Sequence, residues 1–339
     1  MKSFRCLVIL LLVVHFGYSQ VSDFDHIDFS KADNIAKIHE GENLKNLPDL
    51  VHKLTSNLDT DVERFRAIYI WVCQNVSNDY RLYLKNKRKR EKYKDDSLEL
   101  KDWNDKFKGR LFNKLRKRKR TICSGYSYII SELSKLANID CRMINGFGRT
   151  STTAIDDYSS TNHSWNAVKL NGKWYLCDAT WASGIIHPKN YGFKFDYNNG
   201  LFFTEPEFFA VTHFPVDTKW MLLEADKKPS FPDFINNPIL YGSAFKTLES
   251  LITPKQMHHE ISRNGILNFK YKLKQAIDPK TLQLKIYNGF NTETVKPSQV
   301  NLDNSILSFQ YKFESKGFFD VHVSINDKFI ATYTVKVSK

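Results

Sequence analysis

Five cysteines in 339 residues are too few to build a disulfide scaffold. Stability must come from a large core, which 42% hydrophobic and 14% aromatic residues can supply. Beyond residue 16 no apolar run approaches the roughly 20 residues that cross a bilayer, so no membrane span is expected in the mature chain. No pair of ligand clusters has zinc spacing, and His258 with His259 reads as a surface dipeptide instead of a metal site. No acidic loop has calcium-site spacing. No nucleic-acid-binding motif is present, so nucleic acid is not an expected partner. Neither metal nor cofactor is expected. Acidic residues are also short, 37 against 50 Lys plus Arg, for a net charge of +13.

The first residues carry Lys2 and Arg5 before the apolar run 7–16, the n- and h-regions of a signal peptide. Gly17 and Ser19 are small residues at −3 and −1, which places cleavage before Gln20. Cys6 lies too early, with no lipobox around it, to be a lipoprotein cysteine. The expectation is a secreted protein, periplasmic or extracellular, that keeps Cys73, Cys123, Cys141 and Cys177 in about 320 residues.

The most specific local signal is Asn171-Gly172, a dipeptide suited to a type I′ turn because both positions need positive φ. It joins NHSWNAVKL at 162–170 to KWYLCDATW at 173–181. With Leu170 facing Lys173, Trp165 falls opposite Asp178, and His163 and Asp178 become diagonal neighbours on one face. Such a diagonal has Cα atoms roughly 7–8 Å apart, which the two side chains can bridge. The carboxylate would then hold one imidazole nitrogen and leave the other free as a base. Cys177 falls on the opposite face with Tyr175 and cannot serve the pair.

A nucleophile is available in TICSGYSYIISEL at 121–133, where Tyr126, Ile129, Ile130 and Leu133 follow helical spacing and Cys123 stands at the helix start. The dipole and unpaired N–H groups of a helix N-terminus favour a thiolate and an oxyanion. Taken singly, each residue has a plainer reading: Cys123 as a small buried hydrophobe, His163 as a core histidine, Asp178 as a turn former.

The segments CSGY at 123–126, NHSWNAV at 162–168 and GKWYLCDATW at 172–181 resemble the Cys, His and Asp motifs of the transglutaminase-like superfamily, whose core is papain-like. The resemblance carries that family's catalytic residues onto Cys123, His163 and Asp178. FFTEPEFFAVTHFPVDTKW at 202–220 resembles the segment that follows the core in kyphoscoliosis peptidase-type members. AIYIWVCQNVSND at 67–79 fits the family's upstream helix, with Asn78 where the family has Tyr. The resemblance covers roughly residues 60 to 245.

It implies an α+β fold: a papain/transglutaminase-like core, with the nucleophile helix packed on an antiparallel sheet. It also implies acyl transfer from a peptide or isopeptide amide through a thioester on Cys123. Hydrolysis is the first expectation. The alternatives are cross-linking or deamidation, or a non-catalytic protein-binding scaffold. Trp71 and Gln74 are candidates for the second oxyanion donor. A protein or peptide substrate and a monomeric enzyme are expected. A Cys141–Cys177 bridge is weakly supported, since their strands should flank the His163 strand.

Charge is concentrated in a basic insert, 85–120, with 17 Lys plus Arg against six Asp plus Glu, or +11 of the total +13. KNKRKR at 85–90 and LRKRKR at 115–120 bracket it. It reads either as an electrostatic lip for acidic peptides or an anionic surface, or as a solvated insert. Trp103, Phe107, Leu111 and Leu115 predict an amphipathic second helix docked on the core.

The organisation expected is a signal peptide at 1–19, a helical segment at 20–60 with a helix interrupted at Pro48, the catalytic core at 61–235, and a β-sandwich at 250–339. The Ser/Thr-rich loop 150–161 would border His163 as a flexible wall. Alternating runs at 267–273, 282–287, 306–313, 319–325 and 333–337 predict the sandwich, of immunoglobulin-like type.

Overall fold

The computed structural model describes residues 20–151, 153, 155 and 160–339. The expected signal peptide lies outside the described residues, as do positions 152, 154 and 156–159 of the loop before His163.

Three helices open the chain: α1 (Ser30–Ile38), α2 (Leu47–Thr55) and α3 (Asp61–Asn75). The Asn46 side chain caps α2 with Pro48 in its first turn, so Pro48 starts a helix instead of interrupting one. Thr60 and Glu63 close a reciprocal capping box on α3. Every residue of α3 from Phe65 to Cys73 is buried, which makes it the central post of the core. Its one buried cation, Arg66, is matched by the Asp33 carboxylate of α1 at 2.7 and 2.9 Å.

The basic insert is a helical hairpin, α4 (Tyr80–Lys92) and α5 (Ser97–Arg118). Trp103, Phe107, Leu111 and Leu115 of α5 are all buried, as their spacing predicts. The hairpin leaves and re-enters the core through paired parallel strands, β1 (Ser77–Asn78) and β2 (Arg120–Thr121). Asp79 ties that neck together. Its carboxylate caps α4 through Leu82 N, accepts from Arg120 at 3.2 Å and is paired with Lys114.

Helix α6 (Cys123–Leu136) follows β2 directly. It packs on an antiparallel sheet of β3 (Cys141–Gly148), β4 (His163–Leu170) and β5 (Lys173–Cys177). The chain continues through α7 (Ala179–Ala182), a small hairpin of β6 (Gly184–Ile186) and β7 (Phe193–Phe195), α8 (Pro206–Phe209) and β8 (His213–Pro215). The sheet order is β5-β4-β3-β8. Two side-chain bonds fix helix to sheet: Asn166 Nδ2 donates to Ser127 O at 3.0 Å, and Ser131 Oγ donates to Cys141 O at 2.8 Å.

The turn forms at Asn171 and Gly172, with φ of 50° and 82°, and Leu170 pairs with Lys173. The ladder stops at Asn166–Cys177, so the expected Trp165–Asp178 pairing is not made. Asp178 instead leaves the strand to cap α7. Cys141 and Cys177 lie on strands either side of β4, and all four described cysteines are free thiols. At the β5 edge Gln20 acts as a clasp, accepting from Leu176 N at 2.9 Å and donating to Trp174 O at 3.1 Å.

The C-terminal region is a sandwich of immunoglobulin-like type, antiparallel except where His258–Ser262 runs parallel to Lys328–Ser338. One sheet orders Leu248–Thr253, Ile266–Leu273, Ile306–Lys312 and Ser298–Asp303; the other orders His258–Ser262, Lys328–Ser338, Gly317–Ile325, Gln283–Tyr287 and Thr292–Val295. His258 and His259 thus belong to an edge strand. The sandwich is not tethered but seated on the core. Phe208 packs on Phe245, in the short helix Gly242–Thr247 that leads into the sandwich, with ring centroids 5.1 Å apart, and Asn198 Nδ2 donates to Gly242 O at 2.7 Å. A single apolar cluster runs from Phe24 to Val337.

Candidate active site

Cys123 is the first residue of α6, preceded by Ile122 in extended conformation at the cap. Two neighbours hold it there. Asp79 N donates to Thr121 O at 2.7 Å, and Gly125 lies so close to the Thr121 side chain that a Cβ would collide with it. The first N–H groups of a helix have no acceptor one turn back; here Gly125 N turns to Ile122 O at 2.9 Å, which leaves those of Cys123 and Ser124 beside the sulfur.

His163 opens β4, 7% exposed, with its ring stacked on Trp181 at 4.8 Å. Gly148 on the adjacent strand makes room for it: a Cβ there would lie 2.9 Å from His163 Cβ, Cγ and Cδ2. His163 Nε2 is 2.7 Å from Asp178 Oδ2, and the Cys123 side chain is close enough to His163 to act on its charge. Since Asp178 occupies Nε2, Nδ1 is the nitrogen left for the sulfur. The structure therefore brings together the three residues singled out from the sequence.

Asp178 is fully buried and has four donors. Its Oδ1 accepts from Thr180 N at 2.8 Å and Trp181 N at 3.2 Å. Its Oδ2 accepts from His163 and also from His213 Nε2 at 3.2 Å. Burial alone would raise this carboxyl, but the His163 partner and the other donors hold it well below the usual carboxylate range.

The two imidazoles diverge. Burial pulls both down. For His163 the Asp178 charge, with help from Cys123, more than offsets that and raises it to about 10. For His213 burial wins and lowers it to about 4. At neutral pH the positive charge sits on His163 and His213 is neutral. Because Asp178 only accepts, His213 carries its proton on Nε2 and turns Nδ1 to the Thr212 hydroxyl at 2.9 Å. The His213 ring stacks on Phe209 at 3.8 Å.

His213 is the site residue that sequence reasoning missed. The signal lay in the stretch 202–220, but nothing local says that β8 joins the sheet beside β3 and so delivers His213 to Asp178. Trp71 is removed as an oxyanion donor, because it is wholly buried and its indole N–H is given to His39 O at 2.7 Å. Gln74 is exposed and has no such engagement. Burial, with a smaller contribution from Cys123 nearby, pushes the Tyr83 phenol of α4 up to about 12.

Ligand atoms of His163, Asp178 and His213 lie within 4.8 Å of one another. Each Nε2 is already a donor to the same oxygen, so the trio is satisfied by hydrogen bonds without a cation. A metal ion would have to strip both protons to bind there.

Comparison with known proteins agrees with this geometry. Residues 48–179, a stretch that contains Cys123, His163 and Asp178, match the family model of the transglutaminase-like superfamily. The chain is 30% identical over 254 residues to the kyphoscoliosis peptidase of Homo sapiens, covering 74% of this chain and 31% of that protein. It is 24% identical over 237 residues to hillarin of Drosophila melanogaster, covering 66% of this chain and 26% of that one. The chain thus spans about a third or less of the length of these relatives. Among solved structures, the Lin-41 filamin domain aligns with 26% of this chain and 90% of its own, at 14% identity and a TM-score of 0.22.

Proposed function

Because the chain carries a transglutaminase-like domain and is homologous to kyphoscoliosis peptidases, we propose that it is a cysteine acyl-transfer enzyme that hydrolyses peptide or amide bonds. The observation that carries this reading is the 2.7 Å contact of His163 with Asp178, next to Cys123 at the start of a helix. The Cys123 sulfur attacks the amide carbonyl carbon, and the carbonyl π electrons move to oxygen, where the free N–H groups at the start of α6 receive the charge. As the oxygen electrons return, the C–N bond breaks and the proton on His163 Nδ1 passes to the departing amine. That leaves a thioester on Cys123 and a neutral imidazole. Water then adds to the thioester, giving a proton to Nδ1, and the carboxylic acid product departs as the sulfur regains its electrons. A lysine amine in place of water would give an isopeptide bond.

Asp178 keeps His163 oriented and stabilises its imidazolium through both steps. Export from the cytosol belongs to the same proposal and rests on the pattern of residues 1–19.

A scaffold reading is favoured by one observation: Cys123 is only 9% exposed. Incubating the protein and its Cys123→Ala variant with a peptide library and a fluorescent amine, read by mass spectrometry, separates the cases. Cleavage that depends on Cys123 supports hydrolysis, and amine incorporation supports cross-linking. No Cys123-dependent product, with iodoacetamide labelling no faster than a free cysteine, leaves the scaffold reading.

A further inference from the structure

We propose that the α4–α5 hairpin is a docking rail for an acidic tract of the polypeptide substrate; this rests on Cys123 being the nucleophile. The charge of the hairpin is polarised along its length. All six acidic residues of 85–120 fall between Glu91 and Asp105, at the end remote from the core. Segments 85–90 and 106–120, the end joined to the nucleophile helix, contain 14 Lys plus Arg and no acid.

The pairing of the two helices shows which end is which. Trp103 Nε1 donates to Asn86 Oδ1 at 2.9 Å, and Lys114 reaches Asp79. The remote half neutralises itself through Lys94–Glu91, Lys101–Asp105 and Lys106–Asp102. In the near half Lys85, Lys87, Arg88, Arg116, Lys117 and Arg118 are exposed and have no ion pair among the described residues. The positive field is therefore strongest where the hairpin meets the site.

Three contacts place that end at the mouth of the site. Arg90 donates to Thr161 O at 3.1 Å, two residues before His163. Trp103, Phe107 and Leu111 share a cluster with Ile122, the residue before Cys123. Asp79 locks the neck. The hairpin is packed against the segments that carry Cys123 and His163, not a tail in solvent.

The chemistry of its surface selects the partner. Trp103 and Phe107 face inward, so no exposed aromatic ring lies between the cations for bases to stack on. The near half exposes no large apolar side chain to enter a bilayer. An acidic polypeptide needs neither. From the level of Asn86 and Trp103 to Lys117 is 14 residues of helix, about 21 Å at 1.5 Å per residue. That is about six residues of extended peptide at roughly 3.3–3.6 Å each.

The test uses the full chain and two peptides that share one cleavable sequence, one tailed with six Glu and one with six Gln. At low salt the Glu tail should lower KM on the order of tenfold. This advantage should vanish at about 1 M salt, where the Debye length is about 3 Å. It should also vanish in Lys85→Gln/Lys87→Gln/Arg88→Gln/Arg116→Gln/Lys117→Gln/Arg118→Gln, shown to be folded by circular dichroism and thermal midpoint. It should persist in Lys296→Gln/Lys312→Gln/Lys316→Gln, which removes surface charge from the sandwich. Equal KM for the two tails overturns the rail and leaves the enzyme reading standing.

If no peptide is turned over, the enzyme reading fails and fluorescence anisotropy on Cys123→Ser decides docking alone. Salt-sensitive binding of the Glu-tailed peptide, lost in the sextuple variant background, supports the rail. Tighter binding of an RNA oligonucleotide or of phosphatidylserine vesicles, or no binding, overturns it.

Discussion

His213 and His163 share one oxygen of Asp178, at 3.2 and 2.7 Å, and only one of them is charged at neutral pH. His163 holds its proton up to about 10, against an ordinary value of 6.5. The stability it contributes is therefore complete below about pH 6.5 and is lost as pH rises toward 10. Asp178 works the other way, contributing above its ordinary 3.8 and losing its contribution as pH falls below it. His213, lowered to about 4, costs stability as pH falls from 6.5 toward 4, because the unfolded chain takes up that proton first.

Together these groups predict a urea midpoint that is greatest near pH 6.5. In Asp178→Asn the alkaline limb of kcat/KM, set near pH 10 by His163, should move down toward 6.5. An alkaline limb that stays in place would show that Asp178 does not control the His163 proton.

His213→Ala should cost more than packing. Removing one donor to a charged, buried oxygen is worth about 1.5–3 kcal/mol, and it frees the carboxylate to shift. The expected signature is a fall in kcat with KM little changed, and partial recovery in His213→Gln, which restores an N–H donor. Equal losses in both variants, tracking stability alone, would make His213 purely structural.

Gly148→Ala tests the seat of His163. The added methyl would sit 2.9 Å from three atoms of that side chain, so the ring must move. Displacement on the scale of 1 Å costs on the order of 100-fold in rate. Iodoacetamide labelling of Cys123 should slow in parallel. Unchanged rates would mean that β3 yields instead of the ring.

Asp79→Ala removes a helix cap and the partner of two cations at once, with an expected loss of about 2–4 kcal/mol. Hydrogen exchange should rise first in α4 and the neck at β1 and β2, before the sandwich responds. Uniform exchange across the chain would show that the hairpin is held by its apolar cluster alone.

Much of the site was legible because its signals are local. Asn171-Gly172 set the register of β4 and β5, and that register brings His163 toward Asp178 whatever the rest of the chain does. Helical spacing after Tyr126 placed Cys123 at a helix start, and the four-residue spacing from Trp103 to Leu115 found the buried face of α5. What escaped depends on contacts distant in sequence. His213 reaches Asp178 only because β8 returns to the sheet edge, 35 residues away. Asp178 quits its strand because an Asp can satisfy two N–H groups of α7, a gain that strand pairing does not offer.

The four sandwich strands outside the alternating runs escaped for a related reason. Thr292–Val295 and Ser298–Asp303 are mostly exposed edge strands with no apolar face to mark them. Pro48 misled because a proline both breaks helices and begins them, and only the Asn46 cap distinguishes the two.

Gly200 presses against the backbone of Phe245 so tightly that no side chain fits between them, while Asn198 and Phe208 fasten the same joint. Two bodies joined through such contact do not swivel. Every point on the surface of the sandwich is therefore held at one distance and one angle from Cys123. Under the proposed activity, a sandwich that gripped a substrate would act as a jig, selecting the bond by distance.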